Sequence, residues 1–183
     1  MTRPTAQELR TLLGLAPLPV EGGLFRETWR SHRHWPGNDR PAGTAIFALI
    51  TDADDGFSAL HRLPTDEVYH FYLGDPLEML LLLHPDGGSE RVVLGHDVLA
   101  GQHLQFTVPA RTWMGSRVLP GAGVDRYALV GTTMAPGFAP EDYEGGSVEE
   151  LVARYPAEAD LIRRLVRPHQ PLRMPDELTG DPE

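Results

Sequence analysis

His61 and Glu67, an imidazole and a carboxylate six residues apart, could together perform three kinds of chemistry. The imidazole, whose ordinary pKa lies near neutrality, could take a proton as a general base with the carboxylate orienting it. The pair could instead hydrogen-bond a polar ligand without turnover, as buried polar groups commonly do. It could also supply two ligands to a divalent cation, which usually needs three or four. The run Glu67-Val68-Tyr69-His70-Phe71 has strand character, so Glu67, Tyr69 and Phe71 share one face and His70 turns to the other. His32 and His34 have ligand spacing, but they sit in the polar segment 31–41 with no carboxylate at the right distance and read as a solvated loop.

The elements that must position these side chains are mostly short strands. A first helix is expected after Thr5, which forms a capping-box pair with Glu8, and Leu9, Leu12 and Leu13 give it one apolar face before Gly14 ends it. Nine β-type runs punctuated by Gly and Pro follow, at 23–31, 44–51, 58–63, 68–73, 77–83, 91–94, 102–108, 113–119 and 126–134. No helical pattern intervenes, so a closed or double-sheet architecture is expected rather than βαβ units. The clearest hairpin turns at Asp86-Gly87-Gly88. After Phe138, which should plug the end of the last strand, two short helices are expected. One is capped by Ser147 with Glu150, and the other carries Leu161, Ile162, Leu165 and Val166. The single domain should span 1–166, leaving 167–183 as a loose acidic, Pro-rich tail.

Composition narrows the chemistry further. With 183 residues and a net charge of −10, the chain suits one globular domain and lacks the positive footprint of a nucleic-acid or anionic-membrane partner. No apolar run approaches the ~20 residues of a membrane span, and the first ten residues lack the apolar segment of a signal peptide, so a cytoplasmic location is expected. There is no Cys, which excludes disulfides, iron–sulfur clusters, thiolate zinc sites and cysteine nucleophiles. All 16 basic residues are Arg, so no lysine is present to form a Schiff base or anchor pyridoxal phosphate.

Within the segment 56–76, His61, Glu67 and Gly74 follow in the order and spacing of the first motif of the cupin superfamily, and Pro109 to Met114 correspond to its second. The phrases at 21–31, 61–77, 108–113 and 130–138 together make the chain resemble a group of small, single-domain, bacterial-type cupins of uncharacterised function. The resemblance implies an all-β jelly-roll barrel, preceded here by one helix and followed by two short ones, that forms a homodimer and has a small-molecule pocket inside the barrel. It also implies four metal-ligand positions. This chain keeps His61 and Glu67 but has Leu63 and Met114 at the other two, so no cofactor is expected and a divalent metal would be held by His61 and Glu67 alone.

The pocket is expected to be lined by Trp113, Met114, Tyr69, Phe71 and Glu27, with His61 and Glu67 converging beside Trp113, a hydrogen bond or one water apart. Metal-free sugar epimerases with the same fold remove a proton next to a carbonyl with a histidine base, which suggests an isomerase or epimerase of a small oxygenated or carbohydrate-like metabolite. A non-catalytic binding protein and a metal-dependent cupin enzyme remain the alternatives.

Overall fold

The structure is a computed structural model that describes residues 3–83, 88–169 and 171–175. Helix α1 (Ala6–Leu13) opens the chain, capped reciprocally by Thr5 and Glu8 and ended by Gly14 in the left-handed conformation at φ 62°. The strands follow as β1 (Ala16–Pro17), β2 (Leu24–Arg30), β3 (Thr44–Thr51), β4 (Ser58–Arg62), β5 (Glu67–Gly74) and β6 (Leu77–Leu82). They continue as β7 (Ser89–Leu94), β8 (Gln105–Val108), β9 (Trp113–Val118), β10 (Tyr127–Met134) and β11 (Glu144–Gly145). Helices α2 (Val148–Arg154) and α3 (Ala159–Arg164) close the fold. The two-residue strands β1 and β11 are too short to leave a pattern in the sequence.

The pairings between these strands are antiparallel and build two facing sheets, β1-β2-β3-β10-β5-β8 and β11-β4-β9-β6-β7. This is the jelly-roll barrel expected from the sequence. Among the described residues no helix is long and apolar enough to cross a membrane. The β6–β7 hairpin forms, with Leu82 opposite Ser89, while Asp86 and Gly87 of its turn lie outside the described residues.

Strand β6, Leu-Glu-Met-Leu-Leu-Leu, is buried on both faces, which an antiparallel strand with one wet face would not be. Leu77, Met79 and Leu81 point into the barrel with Tyr69, Phe71 and Met114. Leu80 and Leu82 point outward and are covered, with Leu60 and Trp113, by Leu151, Tyr155, Leu161 and Ile162 of the C-terminal helices and their connection. Glu78, also on the outward face, is satisfied by Arg117 at 2.8 Å. On the other sheet α1 covers Leu49, Tyr127 and Leu129 through Leu9.

The segment beyond Arg167 departs from the loose tail expected there. Arg167 donates to the carbonyls of Asp55 and Phe57, and Leu172 accepts from the Gly145 amide at 2.8 Å. Met174 is buried in the barrel core. One backbone hydrogen bond, the Arg173 side chain on the Tyr143 carbonyl and one apolar anchor therefore hold 171–175 down as a strap, and the remainder, 176–183, lies outside the described residues.

Candidate functional site

The inner face of the larger sheet is built in rows. Glu67, Met134 and Thr44 form one row, Tyr69, Thr132, Ile46 and Glu27 the next, and Phe71, Val130, Ala48 and Phe25 a third. Period-two alternation along β5 brings Glu67, Tyr69 and Phe71 inward. It sends His70 outward, where it meets Thr133 Oγ1 at 3.1 Å and the Gln105 side chain at 3.2 Å. On the facing sheet β4 carries a bulge: Ser58 pairs with Ser116 and His61 with Met114, so between those pairs two residues of β4, Ala59 and Leu60, oppose one of β9, Gly115. The extra residue turns both Ser58 and His61 to the interior although their spacing is odd.

These rows enclose a cavity with about 60 Å³ of solvent-accessible space, room for roughly four to six waters at ~10–15 Å³ each. Its polar walls are Glu21, Glu27, Thr44, Ser58, Glu67, Tyr69, Ser116 and Thr132, and its apolar closure includes Phe25, Ile46, Leu63, Phe138 and Met174. Phe138 is held as the expected plug by its amide, which donates to Thr44 Oγ1 at 3.0 Å.

Glu67 is a buried, perturbed carboxyl of the cavity. It is 6% exposed, and its Oε2 has no hydrogen-bond partner. Burial pushes its pKa up from 4.5 to about 7; the positive influence of His61 opposes this, the Glu21 carboxylate adds to it, and the hydroxyls of Thr132 and Tyr69 favour the charged form. The Tyr69 phenol is pushed well above its ordinary range by burial first and then by Glu67 and Glu21. Its hydroxyl, which acts on Glu67, also meets the thioether of Met114 at 3.8 Å.

His61 is buried on the inner side of β4 and acts on the charge of Glu67. Its Nδ1 is 2.7 Å from the Ala59 carbonyl, which can only accept, so Nδ1 carries a proton and Nε2 is the nitrogen facing inward. The carboxylate nearest Nε2 is Glu21, whose Oε2 is 3.8 Å away and whose Oε1 accepts from Ser58 Oγ at 2.8 Å. The ring stacks on Tyr143 at 5.0 Å between centroids. Beside His61 and Glu67 the structure thus brings a third group, Glu21, which lies 3.8 Å from His61 and lines the cavity with Glu67. Glu21 carries no strand signal and precedes a two-glycine turn at Gly22 and Gly23, both with positive φ, which throws its side chain over the barrel end.

Three expected wall residues sit elsewhere. The Trp113 ring faces outward against the C-terminal helices, with the Arg62 guanidinium 4.7 Å from its centroid, because β9 turns Met114 and Ser116 inward. Phe71 is buried in the core against the edge of His96 and does not line the cavity, while Met114 backs Tyr69. Glu27 does reach the cavity, but both its oxygens are taken by Arg30, at 2.8 and 2.7 Å. His34 bonds the Asp39 carbonyl in an exposed loop, as its polar surroundings suggested.

The metal implied by the fold family meets a poor donor set. Among the described residues no three His, Asp or Glu side chains gather as ligands for one ion. Leu63 is an apolar wall, and Met114 stands opposite His61 where a further hard ligand would be needed. These residues do not fit a tightly held divalent cation.

Residues 7–145 match the family described as Cupin superfamily (DUF985). The chain belongs to the cupin superfamily. This cupin is 32% identical to protein SO0799 of Shewanella oneidensis, whose crystal structure superposes with a TM-score of 0.81 over 91% of this chain and 100% of that one. A hypothetical protein from Leishmania major is also 32% identical, with a TM-score of 0.79 over 89% and 99% of the two chains. The uncharacterised protein YML079W of Saccharomyces cerevisiae is 28% identical over 136 residues, 67% of this chain and 66% of the yeast protein, so this cupin spans just under two thirds of that relative's length. A cupin 2 domain-containing protein from Halorhodospira halophila, 13% identical with a TM-score of 0.51 over 82% of this chain and 86% of that one, shares the fold.

Proposed function

We propose that this cupin binds a small oxygenated or carbohydrate-like metabolite inside the barrel and shifts a proton on it, as a metal-free isomerase or epimerase, with Glu67 carrying the proton. The observation behind this reading is a buried carboxyl, open on one oxygen, facing a polar cavity and with a pKa raised to about 7. A group poised near neutrality is present as both acid and base at working pH, which is the condition for efficient proton transfer in either direction. His61, the base expected from the sequence, has one nitrogen tied to Ala59 and the other directed at Glu21, which suits a positioning role.

The step balances without another reactant. The Glu67 carboxylate removes a proton from the carbon next to a ligand carbonyl, the C–H electrons become the enolate double bond, and Glu67 becomes the neutral acid. Returning that proton to the neighbouring carbon, while the hydroxyl proton on the first carbon passes to the enolate oxygen, gives the isomeric carbonyl compound and regenerates the carboxylate; return to the other face, for epimerisation, requires the enolate to turn over in the cavity first. The Tyr69 and Thr132 hydroxyls, on the row beside Glu67, are the donors available to the enolate oxygen.

The test is deuterium wash-in from D2O at the carbon-bound protons of dihydroxyacetone and glyceraldehyde, followed by NMR. Wild-type protein should accelerate it, and Glu67→Gln should lose that acceleration by ~10²-fold or more. Equal wash-in by the variant would remove Glu67 from the mechanism. Binding without wash-in for both compounds would reduce the protein to a binding module.

The reading includes a homodimer, because among the described residues no strand covers the outer edge of β2 beyond Phe25, where Trp29 is 51% exposed. Light scattering should give about twice the chain mass of 20.2 kDa, and a monomer mass at micromolar concentration would overturn it.

A further inference from the structure

The cavity holds more acceptor capacity and more negative charge than its own walls satisfy. Glu27 is neutralised by Arg30 at the cavity's edge, which leaves Glu21 and Glu67 facing the enclosed space. No lining residue is an arginine. The arginines of the neighbouring strands and loops are engaged elsewhere: Arg40 with Asp142, Arg62 with Glu144, and Arg167 with the carbonyls of Asp55 and Phe57. The nearest group that could carry positive charge is His61, 3.8 Å from Glu21. Glu67, which lines the cavity, also has a buried Oε2 without a partner, and an unsatisfied buried oxygen is normally explained by a missing donor.

Resting on the reading that this cavity is the ligand site, we infer that its ligand presents a primary ammonium to Glu21 and Glu67 and carries no negative charge. The class is a small amino-alcohol or amino-carbonyl compound. An ammonium supplies three donors and one positive charge, which answers the open oxygen and the uncompensated carboxylates together. The hydroxyl of Ser116 then serves the ligand's oxygen-bearing end. An anionic ligand such as a carboxylate or phosphate would find no cation on the walls and two carboxylates within the same small volume. Size argues in the same direction: a space equivalent to about four to six waters holds a few non-hydrogen atoms and no nucleotide.

Three probes of matched skeleton separate the possibilities: ethanolamine, ethylene glycol and glycolate, which carry positive, zero and negative charge at neutral pH. Saturation-transfer NMR titrations with the full-length protein at low salt should rank them in that order. Ethanolamine is expected at least ~100-fold tighter than glycolate, within the three decades that a charge ~4 Å from a carboxylate can supply at an effective dielectric of ~20. Glu67→Gln and Glu21→Gln should each reduce the preference for ethanolamine over ethylene glycol, while His32→Ala, in the exposed loop, should leave it unchanged. Glycolate binding as tightly as ethanolamine, or no saturable ethanolamine binding at tens of millimolar, overturns the inference. Ethanolamine has no carbonyl and cannot turn over, so its failure would leave the deuterium wash-in result standing, and the reverse also holds.

Discussion

Substituting Glu67 by Gln should change the pH dependence of stability in a way that follows from burial alone. In the folded protein the Glu67 carboxyl titrates at about 7 against 4.5 as its ordinary value. Between those pH values the folded state holds a proton that the unfolded state has released, so stability falls as pH rises. Each unit of displacement corresponds to 1.36 kcal/mol, so a displacement of about 2.5 units costs the wild type about 3 kcal/mol once pH exceeds 7, and nothing from this source below 4.5. Gln has nearly the same shape and no charge to desolvate, so the variant lacks this loss. Urea unfolding of both proteins at half-unit steps from pH 4 to 9 should show the stability difference, variant minus wild type, rising by about 3 kcal/mol, with most of the rise complete by pH 7. Parallel curves across that range would refute the argument, because they would mean that Glu67 ionises in the folded protein as easily as in water.

Three further substitutions probe the surrounding structure. Met174→Ala should lose about 2 kcal/mol in urea unfolding, at the low end for a buried Met because the strap is terminal; no loss would mean that 171–175 does not close the barrel. Trp113→Ala should lose ~3–5 kcal/mol by uncoupling the C-terminal helices from the sheet, yet ethanolamine affinity should not move; a matched loss of affinity would return Trp113 to the ligand site. Gly115→Ala would place a Cβ 3.0–3.2 Å from Leu60 side-chain and backbone atoms. It should cost ~1–3 kcal/mol by pushing on the β4 bulge that turns His61 inward, and an unchanged unfolding midpoint would show that the bulge yields freely.

The strands were legible because their signals are local. The run 44–51 is observed with the bounds expected from its composition and flanking turns, and Thr5 with Glu8 caps α1 as their spacing suggests. Strand β5 shows its inward face through plain alternation, so Glu67 and Tyr69 were placed in the barrel from sequence. The same rule gave no answer on β9, where Trp113 and Met114 are both apolar and both faces are buried. Only the C-terminal helices, distant in sequence, decide that Trp113 points out. Glu21 was missed because its approach to the cavity depends on a glycine turn rather than a periodic element. Met174 was missed because a single apolar residue among prolines and charges carries no pattern, and its anchoring comes from backbone pairing with Gly145.

The proposed meeting place of this cupin and its ligand is the barrel cavity between Glu21 and Glu67, and a crystal structure grown or soaked with ethanolamine tests that placement. The expected result is density inside the barrel with the amine nitrogen within hydrogen-bond distance, ~2.7–2.9 Å, of Glu67 Oε2 and of a Glu21 oxygen. Density confined to the outer face by Trp113, or to the surface groove of Arg62, Arg111 and Glu144, with the cavity holding only water, would contradict it.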